Sequence, residues 1–146
     1  MRVLLDAGYA APSARNEQTW HFVVLRERAV LEAVPRFHRN AAMLREAAAA
    51  ICVCSDRRLE KDPEAEYWVQ NCAAAAENIL LAAQALGLGA CWLGIHPRAE
   101  RKGGLRALLH LPEHVEPFCL IALGYPAEDK GAAARCPADR IHHDRW

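Results

Sequence analysis

The sequence predicts an α+β fold with about four strands set between helices, and three observations carry that expectation. Short apolar runs of strand length recur at residues 20–25, 48–55, 90–95 and 118–124. Longer stretches with helical spacing lie between them, above all residues 63–86. Proline and glycine punctuate the joins, at Pro12, Pro35, Pro63, Gly87 and Pro97.

Residues 2–10 carry Val3, Leu4, Ala7 and Ala10 on one face and read as a helix that Pro12 closes, with no capping residue ahead of it. The polar stretch Pro12-Ser13-Ala14-Arg15-Asn16-Glu17-Gln18-Thr19 reads as a loop leading into the first strand. Residues 27–45 read as two short helices divided near Pro35, because proline lacks a donor and clashes with the preceding turn. Residues 48–55 are a continuous apolar run suited to a buried strand.

In the helix expected over 63–86, Asp62 is placed to cap, Pro63 fits the first turn, Glu64 and Glu66 suit the positive end of the dipole, and Gly87 terminates. Trp68, Cys72, Ala75, Ile79, Ala83 and Leu86 form one stripe, while Ala73, Ala76, Leu80 and Leu81 make the other side apolar too. A helix apolar nearly all round is buried on both sides, which points to a subunit interface. A helix over 97–109 separates the last two strands, and intervening helices favour some parallel pairing. Residues 125–146 are polar and charged and read as an extended carboxy-terminal tail of one domain spanning 1–146.

The chain has 146 residues, 53% hydrophobic, with 18 Lys+Arg against 18 Asp+Glu. That balance gives no basic field for nucleic acid. No apolar stretch approaches the ~20 residues of a membrane span and no secretory signal opens the chain, so a cytoplasmic location is expected. Six cysteines are scattered through apolar segments without metal spacing and read as reduced, buried thiols; Cys52 and Cys54 would share one strand face. The seven histidines repeat no metal-ligand spacing and read as solvated or capping groups, so no metal is expected.

Gly87-Leu88-Gly89 follows a helix and precedes a strand, the reverse of a dinucleotide fingerprint. No nucleophile elbow, phosphate loop or carboxylate pair is visible, so no catalytic acid, base or nucleophile is assigned, and chemistry resident in a cofactor fits best.

Three segments stand out: Ala11-Pro12-Ser13-Ala14-Arg15-Asn16-Glu17-Gln18-Thr19-Trp20-His21-Phe22, Gly87-Leu88-Gly89-Ala90-Cys91-Trp92-Leu93-Gly94, and Gly124-Tyr125-Pro126-Ala127-Glu128. Together they resemble the nitroreductase family of flavoenzymes, where a Pro-Ser-x-x-Asn-x-Gln-x-Trp loop enters a strand and a Gly-Leu-Gly turn enters a Trp-hydrophobic-Gly strand end. The resemblance implies a three-layer fold around a central mixed sheet, a homodimer with FMN bound at its interface and an exchanged carboxy-terminal tail. It implies hydride transfer from NADH or NADPH through FMN to a nitroaromatic, quinone or similar small acceptor.

Carried onto this chain, it implies that Pro12, Ser13, Ala14, Arg15, Asn16 and Gln18 contact the flavin from one subunit, that the backbone around Leu93 and Gly94 faces its reactive nitrogen, and that Arg135 neutralises its phosphate. Asn and Gln offer a donor and an acceptor to the pyrimidine edge. Nothing in residues 1–11 matches the family's amino-terminal Arg-Arg-Ser-x-Arg-like phosphate cluster, so that segment is expected to be missing and flavin affinity lowered. The alternative implied function is a dimeric, weakly flavin-binding or non-catalytic relative.

Overall fold

The computed structural model describes residues 1–129, 131 and 140–146. Helix α1 (Arg2–Tyr9) leads through the Pro12–Thr19 loop into β1 (Trp20–Leu25). Helix α2 (Arg28–Ala33) and two tight turns, Val34–Arg36 and Ala42–Arg45, precede β2 (Ala49–Asp56). Then follow α3 (Tyr67–Ala85), β3 (Gly89–Gly94), α4 (Ala99–Leu109) and β4 (Val115–Gly124). The α+β class and the four-stranded sheet flanked by helices are as the sequence led us to expect.

The sheet order is β1-β2-β4-β3, and all three pairings are antiparallel. The expected parallel pairing, and with it a mixed sheet, is therefore corrected for the described residues. The connections from β1 to β2 and from β3 to β4 each return the chain to a neighbouring strand in the opposite sense, whereas the segment carrying α3 crosses from β2 to β3, two strands that run in the same sense but do not pair because β4 lies between them. Strand β4 carries a bulge opposite Val53 and Cys54, where Phe118 is the extra residue.

Side chains alternate between two apolar layers. Ile51, Val53, Cys119, Ile121 and Leu123 face α1 and α3, whereas Ala50, Cys52, Cys54, Leu120 and Ala122 face Leu31, Leu44 and Leu105. Every residue of β2 is buried, which explains its unbroken apolar run. Burying each Leu or Ile of these layers contributes about 1.5–3 kcal/mol. Among the described residues no helix is long and apolar enough to cross a membrane.

Helix α3 differs from expectation at its start. Pro63–Ala65 form a separate tight turn, and Glu66 takes a left-handed conformation (φ 50°), so the helix proper opens at Tyr67 with no acidic residue in its first turn. Asp62 makes no capping hydrogen bond; its carboxylate accepts instead from Arg15 Nη2 at 3.2 Å. The other end is as read: Gly87 adopts φ +70° and Leu88 N–H reaches back to the Ala83 carbonyl at 2.9 Å. The stripe Trp68, Cys72, Ala75, Ile79 and Ala83 is buried against the sheet, while Leu81 and Leu86 are exposed.

Candidate functional site

The Pro12–Thr19 loop is held by hydrogen bonds within itself and to Lys61, Asp62 and Asn71. Arg15, Asn16 and Gln18 all have positive φ (51°, 55° and 50°), a conformation that costs roughly 1–2 kcal/mol per non-glycine residue. Four contacts offset that strain. Ser13 Oγ accepts from Gln18 N–H at 3.0 Å, Ala14 N–H donates to Asn71 Oδ1 at 2.8 Å, Arg15 pairs with Asp62, and Glu17 accepts from Lys61 N–H at 3.1 Å.

The hydroxyl of Ser13 is thus first a loop-building group. Gln18 Nε2 donates to Asn16 Oδ1 at 2.9 Å, leaving Asn16 Nδ2 and Gln18 Oε1 as a free donor and a free acceptor, both on exposed residues. Pro12 is exposed and Arg15 points to Asp62, so within this chain Arg15 serves the loop's shape.

Gly94 closes β3, the edge strand opposite β1. Ile95 N–H donates to Phe118 O, so residues 95 and 118 form a hydrogen-bonded pair and the alternation of an antiparallel ladder turns the Gly94 N–H and C=O away from β4, toward the free edge. The carbonyl is taken by the chain itself: it accepts from His38 Nε2 at 3.0 Å and from Arg101 Nη1 at 2.8 Å. The N–H faces outward, and a Cβ at Gly94 would meet nothing within 4 Å. Leu93, by contrast, buries its side chain in the layer below.

His38 is one functional group that the sequence reading missed. It is buried beside Arg101, and burial first, then the neighbouring guanidinium, lowers its pKa, while the bond to the Gly94 carbonyl works in the opposite direction. It therefore stands neutral at pH 7 with its proton on Nε2, fixing the strand-end peptide. No motif marks it, because its partner is a backbone carbonyl 56 residues away.

Loop and strand end lie at the same end of the sheet. Trp20 pairs with Ser55, Ser55 with Glu116, and Gly94 with Cys119 a few residues along β4. They sit at opposite edges, three strand spacings or roughly 14 Å apart. One chain brings them to one rim without bringing them together. Arg135 lies outside the described residues.

Between the two edges, Trp68 packs edge-on against His96 at 4.8 Å and Phe118 at 6.1 Å, with the Arg57 guanidinium 5.1 Å over its ring. Arg57 pairs with Glu60, whose carboxyl is pushed up by burial and drawn back by that guanidinium. Burial, and after it Lys102, lowers the His96 pKa. Trp68 Nε1, Asn71 Nδ2, His96 Nδ1, Thr19 Oγ1 and Ser55 Oγ are buried at this rim with no hydrogen-bond partner among the described residues. Such a concentration of unpaired polar atoms marks this rim as polar ground among apolar layers.

Along the free edge of β3, a cavity of about 610 Å³ opens at the far end, lined by Met43, Ala47, Cys91, Leu123 and Tyr125 among others. Cys52 and Cys54 share a face with sulfurs 3.3 Å apart, but both are fully buried, and the hydrogen bond between them and burial push the Cys52 thiol up. A neutral, inaccessible thiol is a poor nucleophile, which disfavours thiol-redox chemistry. Trp20 and Trp68 are core residues, and Trp92 is partly buried against Phe118.

Known proteins share this fold. A relative from Methanothermobacter thermautotrophicus, provisionally named an NADH dehydrogenase/NAD(P)H nitroreductase, is 50% identical over 143 residues, covering 98% of this chain and 74% of its own. A crystal structure from Clostridium acetobutylicum, provisionally named an NADH oxidase, superposes with a TM-score of 0.92 at 41% identity, covering 98% of this chain and 86% of that one. Another, from Desulfovibrio desulfuricans, described as a nitroreductase in complex with FMN, has a TM-score of 0.81 at 31% identity, covering 99% and 83%. The Nitroreductase family model matches residues 36–125, the stretch from the Pro35 turn through the end of β4 that holds His38, Gly94 and Arg101. With its loop, its strand end and its sheet order in place, the chain belongs to the nitroreductase family.

Proposed function

We propose that this chain is one subunit of a homodimeric, FMN-dependent oxidoreductase that takes hydride from NADH or NADPH and reduces a nitroaromatic, quinone or similar small acceptor. The observation that carries this reading is the separation of two ring-recognising half-sites at opposite edges of one rim. A loop with free amide groups and an open strand-end glycine are too far apart to serve one ligand in one chain, and a second copy supplies the missing half of each. The names of the relatives, which include NAD(P)H nitroreductase and an FMN complex, support the same chemistry.

The residues present fit a flavin. Asn16 Nδ2 and Gln18 Oε1 match the alternating acceptors and donor of a pyrimidine edge. The Gly94 N–H, on the same edge as the carbonyl that His38 and Arg101 hold, offers one neutral donor, and the missing Cβ leaves open space beside it. Ser13, Ala14, Pro12 and Arg15 shape the loop, Leu93 anchors the strand end, and Arg135 is assigned to the phosphate. When bound, FMN supplies the hydride-accepting centre and the two-electron step to the acceptor. The protein's own groups bind, orient and exclude water; none is required to move a proton in hydride transfer. Exposed Val3, Tyr9, Leu81 and Leu86 on the α1–α3 layer supply apolar surface for the second copy, and residues 125–146 are proposed to reach across it as a tail.

The test is the visible absorption spectrum of the purified protein before and after FMN titration, followed by NADPH under nitrogen. A flavin band that is retained or regained and that bleaches on reduction is the expected result. No flavin uptake at high micromolar concentration would overturn the reading and point to a relative without the cofactor.

A further inference from the structure

A second cavity, of about 540 Å³, lies on the α4 side of the sheet, and its lining is dominated by one kind of side chain. Arg36 and Arg39 come from the Pro35–Arg39 segment, and Arg98 and Arg101 from the start of α4; Glu100 is the one carboxylate lining it. Among the described residues, Arg36, Arg39 and Arg98 have no carboxylate within ion-pair distance. They are exposed, so their attraction for an anion is open to solvent-borne ligands.

The two segments are held together by packing, not by charge. The ring of Phe37, which also lines the cavity, lies so close to α4 that a Cβ on Gly104 would come within 2.5–2.8 Å of it. Glycine at 104 thus lets the Pro35–Arg39 segment pack onto α4, so that arginines from both line one cavity, where like charges favour an anion. Arg101 spans both sites: it lines the cavity and donates to the Gly94 carbonyl at 2.8 Å. The cavity therefore adjoins the strand end assigned to the flavin ring.

We propose that this cavity receives the phosphates of the pyridine nucleotide and, through Arg36 and Arg98, selects the nucleotide bearing a 2′-phosphate, making NADPH the preferred hydride donor. This inference rests on the flavin reading for its place in the reaction, but the anion site itself does not. Guanidinium matches a phosphate dianion in shape and charge, and NADH lacks that group.

The test is calorimetric titration of the full chain with adenosine 2′,5′-bisphosphate and with adenosine 5′-monophosphate. The bisphosphate is expected to bind about ten-fold tighter or better, and the Arg36→Gln/Arg98→Gln double variant to lose that difference while its circular dichroism is unchanged. Should the double variant unfold, the single variants Arg36→Gln and Arg98→Gln each carry the same expectation in part. Equal binding of the two nucleotides, or a double variant that keeps the preference, would overturn the proposal. So would a double variant that loses FMN while retaining the bisphosphate, since the anion would then be the flavin's phosphate. A protein that binds the bisphosphate selectively yet takes up no FMN keeps the anion site and discards the flavin reading.

Discussion

Asn71, buried in α3, accepts a hydrogen bond from the backbone N–H of Ala14 at 2.8 Å, tying the strained Pro12–Thr19 loop to the longest helix across 57 residues of sequence. That bond joins stability to function. Asn71→Ala removes the acceptor of a half-buried N–H, at a cost of about 1 kcal/mol. Urea denaturation should register that loss, and flavin titration should register a weaker complex because the loop relaxes toward ordinary backbone angles. A variant that loses stability but binds FMN undiminished would show that the loop's conformation is irrelevant to the site.

Asp56, at the end of β2, accepts from both the backbone and the guanidinium of Arg58, and these bonds hold its carboxyl near a pKa of about 2, below the 3.8 of an unperturbed aspartate. Because the folded value is the lower one, the unfolded chain takes up the proton first. The contribution of Asp56 to stability is therefore full above about pH 4 and is lost as pH falls from there toward 2. Asp56→Asn keeps a capping oxygen but loses the charge that Arg58 pairs with; it should cost about 1 kcal/mol near neutrality and flatten the stability curve between pH 4 and 2. An unchanged acid limb in the variant would assign the acid sensitivity elsewhere.

Gly104 permits the close approach of Phe37 to α4. Alanine is worth about 1 kcal/mol more than glycine in a helix interior, yet forcing a methyl into a filled space costs about 1–3 kcal/mol. Gly104→Ala should therefore be neutral to destabilising by about 2 kcal/mol, and it should also displace Arg36 and Arg39. Thermal melting checks the first outcome. A melting temperature raised by the substitution would mean that Phe37 gives way freely.

These residues show which parts of the molecule the sequence made legible. Strand β1 was bounded correctly because Trp20 follows a polar loop and Leu25 precedes a charged one; β2 was visible because both its faces are apolar. Strand direction was hidden, since the same pattern serves parallel and antiparallel pairing and the order β1-β2-β4-β3 is decided by which edges remain free. The start of α3 was misread because Asp62 had a stronger partner in Arg15, forty-seven positions away. The loop's motif marked Pro12 to Gln18 as a recognition segment, but it could not show that Ser13 spends its oxygen on Gln18. His38 and the arginine cavity were illegible for one reason: their meaning lies in contacts between the Pro35–Arg39 segment and α4, remote in sequence and joined by Phe37 and Gly104.

Gly94 separates folding from cofactor binding most cleanly. Its φ lies outside the left-handed region and its missing Cβ faces open space, so alanine should fold there with a stability change within about 0.5 kcal/mol. The same methyl would rise from the strand into the open space beside the outward N–H that is assigned to the flavin ring. It should push the ring away from that donor and raise the FMN dissociation constant about ten-fold, or about 1.4 kcal/mol. Parallel melting curves and absorbance titrations of Gly94→Ala and the parent chain read the two quantities independently. Unaltered melting with weakened binding is the expected pair. Unaltered melting with full-strength binding would move the ring off the β3 edge, leaving the orphaned polar groups around Trp68, Asn71 and His96 as the part of the rim to be explained.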